Sequence, residues 1–360
     1  MYPYLSVIII SRNDDYAGGI LPKLQTTIKY LLYQMEAKKL EFELVLVDWN
    51  PPDDKPPLRI AIEWPKNLYY STIKVVEVTS EIHRRYKYWQ KRMIHGSVAV
   101  NTGFRRSRGQ FIVNLVSDAF WSEKLISLIA ERKLEKGYLY RCDRIDSKDD
   151  FALEKYVTYE ALLSDLKKHE IIRNKRIPFP DEFKGVVFPQ LHTNACGDFQ
   201  LMHRDHFYSL RGYYETEDVG CAHVDGILSF AAYAAGIKEF VLPDEMCVYK
   251  IAHHQMHHKR LTEDPSIWEK MLTPSILPEQ IRGIIKNYYG EIFGYPMIHY
   301  EGIPIPHYYD FLLLIREILS GEKSYILNPE NWGLINDKLK QYIVNKAYWD
   351  KHRIEISGEK

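Results

Sequence analysis

The sequence predicts an α/β protein with a mostly parallel central sheet flanked by helices, and three observations support this prediction. Short apolar runs rich in β-branched residues occur at Leu5 to Ile10, Leu44 to Val47 and Phe111 to Val116. Such runs are too short for buried helices and are typical of strands covered on both faces. Helical stretches separate the runs, and a polar cluster or a carboxylate follows each of them. This alternation is typical of a nucleotide-binding α/β half.

The remaining elements follow from the same periodicity. A helix is predicted from about Pro22 to Lys38, because its apolar residues recur on one face. The segment from Val98 has a 3.6-residue rhythm closed by Gly109, which predicts a helix directly before the strand at Phe111. Further strands are predicted at Ile73 to Val78, Tyr138 to Arg144, Phe240 to Leu242 and Met246 to Ile251.

Composition indicates an ordinary globular chain. The 360 residues are 46% hydrophobic and 27% charged, which fits one large or two medium domains. Lys plus Arg and Asp plus Glu both number 48, so no global charge favours nucleic acid or anionic lipid. The sequence shows no secretory-signal pattern and no apolar run of about 20 residues, the length a membrane span needs. We expect no transmembrane segment, and peripheral contact with a membrane stays open.

The four cysteines, Cys142, Cys196, Cys221 and Cys247, contain no C-x-x-C pair. This spacing is typical of buried thiols in a reducing compartment rather than of a disulfide framework or a zinc site. We therefore expect a cytoplasmic location.

The strand exits are the candidate ligand site. In open α/β sheets, ligands bind beyond the carboxyl ends of the strands. The first run ends in the polar cluster Ser11 to Asp15, the second in Asp48 and the third in Ser117 and Asp118. For Asp118 the alternative is that it only caps the helix that begins near Ser122.

The order of the segments LSVIIISRND, LVLVDWN and VNTGFRRSRGQFIVNLVSDAFW resembles the nucleotide-sugar-binding half of family-2 glycosyltransferases of the GT-A fold. The resemblance implies a nucleotide-sugar donor, linked to UDP or GDP. It also assigns roles by position: the first loop and Asp48 hold the nucleoside, and other residues lie beside the donor. The implied donor-binding residues are Ser11, Arg12, Asp14, Asp48, Asn101, Arg105, Arg108, Ser117 and Asp118.

The family's Asp-x-Asp motif holds a divalent metal on the donor diphosphate, and here that position reads Val116-Ser117-Asp118. The first carboxylate is missing, so metal dependence stays open. The resemblance implies Mn²⁺ or Mg²⁺ at Asp118, with His253 as an added ligand. For the histidine cluster from His253 to His258, a zinc site and a solvated face are the alternatives.

The segment from Cys196 to Met202, followed by a short helix and Arg211-Gly212-Tyr213-Tyr214, resembles the acceptor side of the same family. The resemblance implies acceptor binding at Gly197 and Asp198. It also implies that Asp225, at the start of the next helix, is the catalytic base, with His223 as the rival base. The alternative is that Asp225 only stabilises its helix.

The run from His83 to Arg92 interleaves cations with aromatic residues. Single-stranded nucleic acids need such a pattern, but one basic run in a neutral protein is more often a solvated face. In the glycosyltransferase interpretation the run faces the diphosphate. We predict no nucleic-acid partner.

These observations predict a GT-A-like domain over residues 1–255 and a helical C-terminal extension over 256–360. The domain comprises a nucleotide-sugar-binding half (1–121), a helical insertion (148–183) and an acceptor-side half (186–255). The predicted activity is transfer of a sugar to the hydroxyl of a glycan or another acceptor, and the resemblance implies inversion. A noncatalytic nucleotide- or sugar-binding protein on the same fold is the first alternative. A nucleotidyltransferase is the second, and it would need a glycine- and lysine-rich phosphate loop that residues 11–16 lack.

Overall fold

The protein is described from a computed structural model, which covers residues 2–16, 19–90, 92–147, 153–176, 178–216, 223–251 and 308–350. Among these residues, no helix combines the length and the apolar character that crossing a membrane demands. The helices are α1 Leu21–Ala37, α2 Leu58–Ala61, α3 Ser80–His83, α4 Gly96–Arg106, α5 Glu123–Ala130, α6 Tyr159–Lys168, α7 Arg204–Leu210, α8 Val224–Ala234 and α9 Tyr308–Leu319. The strands are β1 Leu5–Ser11, β2 Phe42–Trp49, β3 Ser71–Val78, β4 Phe111–Leu115, β5 Ala119–Trp121, β6 Tyr138–Arg141, β7 Arg144–Ser147, β8 Glu170–Asn174, β9 Glu182–Phe183, β10 Val186–Val187, β11 Leu201–His203, β12 Lys238–Val241, β13 Val248–Ile251 and β14 Lys340–Asn345.

The main sheet has the strand order β12-β6-β11-β4-β1-β2-β3-β14. Its centre is parallel, because β1 pairs in parallel with both β2 and β4, and β2 pairs in parallel with β3. Strand β11 is antiparallel to β4, and β14 is antiparallel to β3. The predicted α/β class with a mostly parallel central sheet is therefore confirmed.

Helices cover both faces of this sheet. The buried face of α1, which includes Leu24, Ile28 and Leu32, packs in one apolar cluster with residues of β1, β2 and β3. On the opposite face, α4 packs in a second cluster with the alternate residues of the same strands. Because both faces are covered, the central strands are continuously apolar, as the sequence predicted.

A second sheet, with the order β5-β13-β7-β8, adjoins the exit of β4. Strand β5 begins at Ala119, directly after Asp118, and pairs antiparallel with β13 so that Ala119 lies opposite Lys250. Strand β7 pairs in parallel with β13 and places Asp146 opposite Lys250. This pairing brings side chains from three distant parts of the chain to the end of β4.

Two parts of the chain differ from the sequence prediction. The tail was expected to be helical, but residues 340–345 form strand β14 at the edge of the main sheet. In the described part of the tail, the helix is α9, over residues 308–319. The insertion over 148–183 was also expected to be helical, and it contains α6 together with β8, which pairs with β7. In both cases a neighbouring strand edge supplies backbone partners that periodicity within the segment cannot reveal.

Gly103 sets how closely α4 approaches the sheet, and substitution there tests this packing. A Cβ at Gly103 would lie 2.2 Å from Cγ2 of Ile8 and 3.3 Å from Cγ2 of Val47. Overpacking of this kind costs about 1–3 kcal/mol, against the ~1 kcal/mol that alanine gains over glycine in a helix. We predict that Gly103→Ala lowers the urea midpoint of unfolding.

Gly96→Ala is the matched control in the same helix, because its Cβ would meet only Cδ1 of Ile10, at 4.0 Å. We expect its midpoint to equal or exceed that of the wild type. Equal destabilisation by the two substitutions would contradict the packing argument.

Candidate active site

The exits of β1, β2 and β4 meet at one rim of the main sheet. Ser11 lies opposite Asp48 in the parallel pairing of β1 with β2. The hydroxyl of Ser117, just beyond β4, donates to the C=O of Ile10 at 3.0 Å. The structure thus brings Ser11, Asp48 and Ser117 together, because parallel neighbours end at the same edge.

Arg12 links the first loop to the loop after β2. Its Nε donates to the C=O of Asn50 at 2.6 Å, and its Nη1 lies 2.8 Å from Oδ2 of Asp14. Asp14 also accepts a hydrogen bond from the backbone N–H of Tyr16. Arg12 and Asp14 therefore lie in the first loop, as predicted, and form an ion pair with each other.

Asp48 is buried and only partly hydrogen bonded. Its Oδ2 accepts from the N–H of Leu58 at 2.7 Å, whereas Oδ1 has no hydrogen-bond partner among the described residues. Burial, aided by the charge of Glu77, raises the pKa of Asp48 to about 7, although the N–H of Leu58, Arg12 and Arg59 act in the opposite direction. A carboxyl group in which one oxygen has no hydrogen-bond partner among the described residues is suited to bind a hydroxyl or N–H group of a ligand.

A second acidic cluster lies where β4 meets the second sheet. Asp198 lies 2.5 Å from Nη1 of Arg144 and 3.9 Å from Nζ of Lys250. Burial and the charge of Asp118 raise the pKa of Asp198, but Lys250 and Arg144 outweigh them and hold it below its ordinary value. Arg144 also pairs with Asp146 at 2.8 Å. Asp198 is therefore an ionised carboxylate beside Asp118, with its charge balanced by two cations.

Gly197 brings the start of α8 to this cluster. A Cβ at Gly197 would lie 2.9 Å from Oδ2 of Asp225, so glycine leaves room for that carboxylate. Oδ1 of Asp225 accepts from the N–H of Gly226 at 2.9 Å, within the first turn of α8. Asp225 thus lies beside the turn that carries Asp198.

His223 precedes α8 in a left-handed conformation, with φ of 66°. Its ring stacks on Phe311 of α9, with ring centroids 4.6 Å apart. Burial lowers the pKa of His223, although the charge of Asp225 acts to raise it. The imidazole is therefore mainly neutral near pH 7, a form that can accept a proton.

Three residues that the sequence reasoning missed hold these elements in place. Nε2 of Gln200 donates to the C=O of Asp225 at 3.0 Å, and Oε1 of Gln200 accepts from the hydroxyl of Tyr213 at 2.6 Å. Asn114 in β4 donates to the C=O of Gly197, and its Oδ1 lies 3.1 Å from the Tyr213 hydroxyl. A polar residue inside the apolar run of β4 was the one signal that could have indicated this network.

Asn101, which was predicted to lie beside the donor, makes its hydrogen bonds within the protein. Its side chain is fully buried and bonds at 2.8 Å to the N–H and C=O of Tyr213 and to Oε1 of Glu215. All of its hydrogen-bonding groups are thereby used within the protein. Asn101 anchors the segment that leads to α8.

Arg105 lies in the last turn of α4 and Arg108 just beyond it, near the amino end of β1, where the N–H of Gly109 donates to Oγ of Ser6. Arg108 pairs with Glu43 at 3.2 Å and with Asp350 at 3.0 Å. Arg105 lies over the ring of Trp332, at 4.8 Å from its centroid. The two ends of β1, Leu5 and Ser11, are about 20 Å apart at the rise of a strand. The two arginines thus have partners within the protein, and their contact with the donor stays a prediction.

The predicted metal ligands are Asp118 and His253. Among the described residues, no group of three or more His, Cys, Asp and Glu side chains is arranged to hold a metal ion. Val116 supplies no ligand, Asp198 is paired with cations, and His253 lies outside the described residues. Mg²⁺ bound to substrate phosphates needs only one or two carboxylates and keeps several waters. Asp118 therefore fits an ion shared with a diphosphate, not a preformed protein cage.

The fold and the rim together define a GT-A-type α/β protein, with carboxylates from two halves of the domain directed to one region. The sequence profile described as Glycosyl transferase family 2 matches residues 6–211, more than half of the chain. The chain belongs to this family.

Among solved structures, the chain is similar to S. aureus TarS, known from a crystal structure, at 15% sequence identity and a TM-score of 0.34. The similarity covers 80% of this chain and 43% of that chain, so this chain spans less than half the length of TarS. No curated protein matches the sequence.

The pKa of Asp48 gives a test by pH. Because the folded pKa is raised to about 7 from 3.8, the folded state binds more protons between these values, and stability falls as pH rises through this window. We predict that Asp48→Asn removes this loss. Its unfolding free energy relative to the wild type should rise between pH 4 and pH 7, by at most about 4 kcal/mol.

Urea denaturation of both proteins at a series of pH values measures the difference. Other titrating groups cancel because they are common to the two chains. Parallel stability curves would show that Asp48 ionises normally in the folded protein.

Proposed function

We propose that this protein transfers a sugar from a nucleotide-sugar donor to an acceptor hydroxyl, with inversion at the anomeric carbon. The observation that carries the proposal is the convergence of carboxylates from both halves of the domain. Asp225 of the acceptor side packs on Gly197, and the adjoining Asp198 interacts electrostatically with Asp118 of the donor side. Membership of glycosyl transferase family 2 supports glycosyl transfer in general.

The donor nucleoside, UDP- or GDP-linked, is proposed to bind across the exits of β1 and β2. Asp48 has a buried oxygen available for a ribose hydroxyl or a base N–H, and Arg12 holds the two adjoining loops together. Asp48 and Asp118 are 1% and 3% exposed. Donor binding must therefore displace the groups that cover them.

We propose that Asp118 binds Mg²⁺ or Mn²⁺ together with the donor diphosphate. When bound, such an ion neutralises the negative charge that develops on the departing diphosphate. Lys250 and Arg144 keep Asp198 ionised next to Asp118 and limit the accumulation of negative charge in this region.

Asp225 is proposed as the base. The acceptor oxygen attacks the anomeric carbon while its proton passes to the carboxylate of Asp225, the bond from the anomeric carbon to the phosphate oxygen breaks, and the nucleoside diphosphate leaves with the electron pair. Asp225 lies in the first turn of α8, where the helix dipole attracts the negatively charged side of a reacting group. The hydrogen bond from Gln200 to the C=O of Asp225 fixes the position of this turn.

Replacement of the base tests this assignment. General base catalysis contributes about 10²- to 10⁴-fold, so we predict that Asp225→Asn lowers kcat by at least about 100-fold. The measurement is release of nucleoside diphosphate in the presence of acceptor, with the fold checked by circular dichroism.

Asp205→Asn is the matched control, because Asp205 also lies in the first turn of a helix and is largely exposed. We expect it to retain normal activity, and His223→Gln to retain more activity than Asp225→Asn. If His223→Gln instead retains less activity than Asp225→Asn, His223 is the base.

Thermal unfolding with nucleoside diphosphates tests the donor and the metal together. We predict that UDP or GDP raises Tm and that Mn²⁺ increases this effect, because a ligand at 100 times its Kd stabilises by about 2.7 kcal/mol. Asp118→Asn should abolish the increment due to Mn²⁺. An equal increment in the variant would exclude Asp118 as the metal ligand.

The same preparation distinguishes catalysis from binding alone. A glycosyltransferase is expected to hydrolyse its nucleotide-sugar slowly without acceptor, and this hydrolysis should require Asp118. Nucleotide-dependent stabilisation without hydrolysis or transfer would favour a noncatalytic binding protein, in which the loss of the first motif carboxylate at Val116 has removed activity.

A further inference from the structure

A cavity of about 220 Å³ lies at the amino end of α4, next to the sheet face that carries Trp49. Asp48 points to the opposite face, because successive residues of a strand alternate. Part of the cavity wall is formed by Arg92, His95 and Ser97, and part by residues 215–216 and 329–337. The latter residues lie outside the family match over 6–211, and none of the residues that line the cavity belongs to the predicted donor-binding set.

Arg92 is a buried cation without a partner in this wall. The residue is 4% exposed, and its backbone N–H bonds to the C=O of Tyr88. Its guanidinium forms no hydrogen bond or ion pair with the described part of the chain. Burying an unpaired charge is costly, and a bound anion would remove that cost.

His95 and Ser97 line the same cavity. His95 is 3% exposed, and its buried Nε2 has no hydrogen-bond partner among the residues that the structure describes. His95 is also the residue before α4, and no side chain caps this 11-residue helix. The first amides of α4 and the hydroxyl of Ser97 therefore supply the donors and the partial positive charge that favour an anion.

The far wall is different in character. It includes Glu215, Asn331 and Asn336, which can bond to hydroxyl groups. Oε1 of Glu215 is already held by Asn101 and by the N–H of Gly333, and Asp337 is paired with Arg85 at 2.6 Å. The cationic end of the cavity is thus separated from a wall suited to neutral, hydroxyl-bearing groups.

We propose that this cavity binds a phosphate monoester of a small polyhydroxylated molecule. The phosphoryl group contacts Arg92, His95 and the amino end of α4, and the hydroxyl groups contact Glu215 and the asparagines. Its volume holds several waters at about 30 Å³ each and is below the ~300 Å³ of typical drug-sized pockets. None of these residues was assigned to the first loop, to Asp48, to the Asp118 motif or to the base, but Arg92 closes the basic run from His83 that the glycosyltransferase interpretation directs to the diphosphate. UDP therefore enters the test as a competitor.

Calorimetric titration of the full chain with glycerol 1-phosphate, inorganic phosphate and glycerol tests the site. We expect both phosphates to bind, glycerol 1-phosphate more tightly, and glycerol not to bind. Arg92→Met should weaken glycerol 1-phosphate binding by about tenfold or more, since hydrogen bonds to charged groups are the stronger ones. The control Arg84→Met removes an exposed guanidinium that lies over Trp89, outside the cavity, and should leave binding unchanged.

Ser97→Glu is the second variant, in case Arg92→Met does not fold. A carboxylate in the first turn of α4 is compatible with the helix but repels an anion, so this variant should fold and lose phosphate binding. Wild-type affinity in the folded variants would overturn the proposal. Displacement of glycerol 1-phosphate by UDP would also overturn the proposal, because the phosphate would then occupy the donor site. If UDP does not bind at all, that result counts against the proposed transferase function and not against this cavity.

Discussion

The hydrogen bonds at both ends of Tyr213 join the two halves of the domain. Its backbone N–H and C=O bond to Asn101 in α4, and its hydroxyl bonds to Gln200, which in turn donates to the C=O of Asp225. The same hydroxyl lies near Asn114 in β4. These groups are buried, and a buried polar group that loses its partner costs about 1–3 kcal/mol. The start of α8 is therefore fixed against the main sheet by this network.

Charge balance explains how several carboxylates can lie close together beneath the rim. Asp198 would be unfavourable next to Asp118 if it were unpaired, because both are buried. Arg144 and Lys250, supplied by the second sheet, offset its charge. The second sheet thus contributes to the electrostatics of the candidate active site as well as to packing. Its strands come from segments that follow β4, and they reach the site only because β13 pairs with both β5 and β7.

The C-terminal segment is part of this architecture. Strand β14 extends the main sheet beside β3, and Asn328 bonds to the C=O groups of Arg211 and Tyr213. The ring of Phe311 stacks on His223. Residues beyond the family match therefore support the turn before α8 and also form a wall of the cavity at α4. An entirely helical extension, as periodicity predicted, would not supply the edge strand β14.

The sequence by itself determined the central strands and the polar groups at their exits. A buried parallel strand must be apolar along its length, and parallel neighbours must end at one edge, so Asp48 and Ser117 could be placed without coordinates. Only the tertiary structure decided the partners of the other polar groups. Arg108 follows α4 and pairs with Asp350 at the edge of the sheet opposite the strand exits. Oδ1 of Asn114 accepts a hydrogen bond from the N–H of Gln200, which is 86 residues away in the sequence. Periodicity reports whether a residue is buried, whereas the pairing of buried polar groups depends on contacts between distant segments.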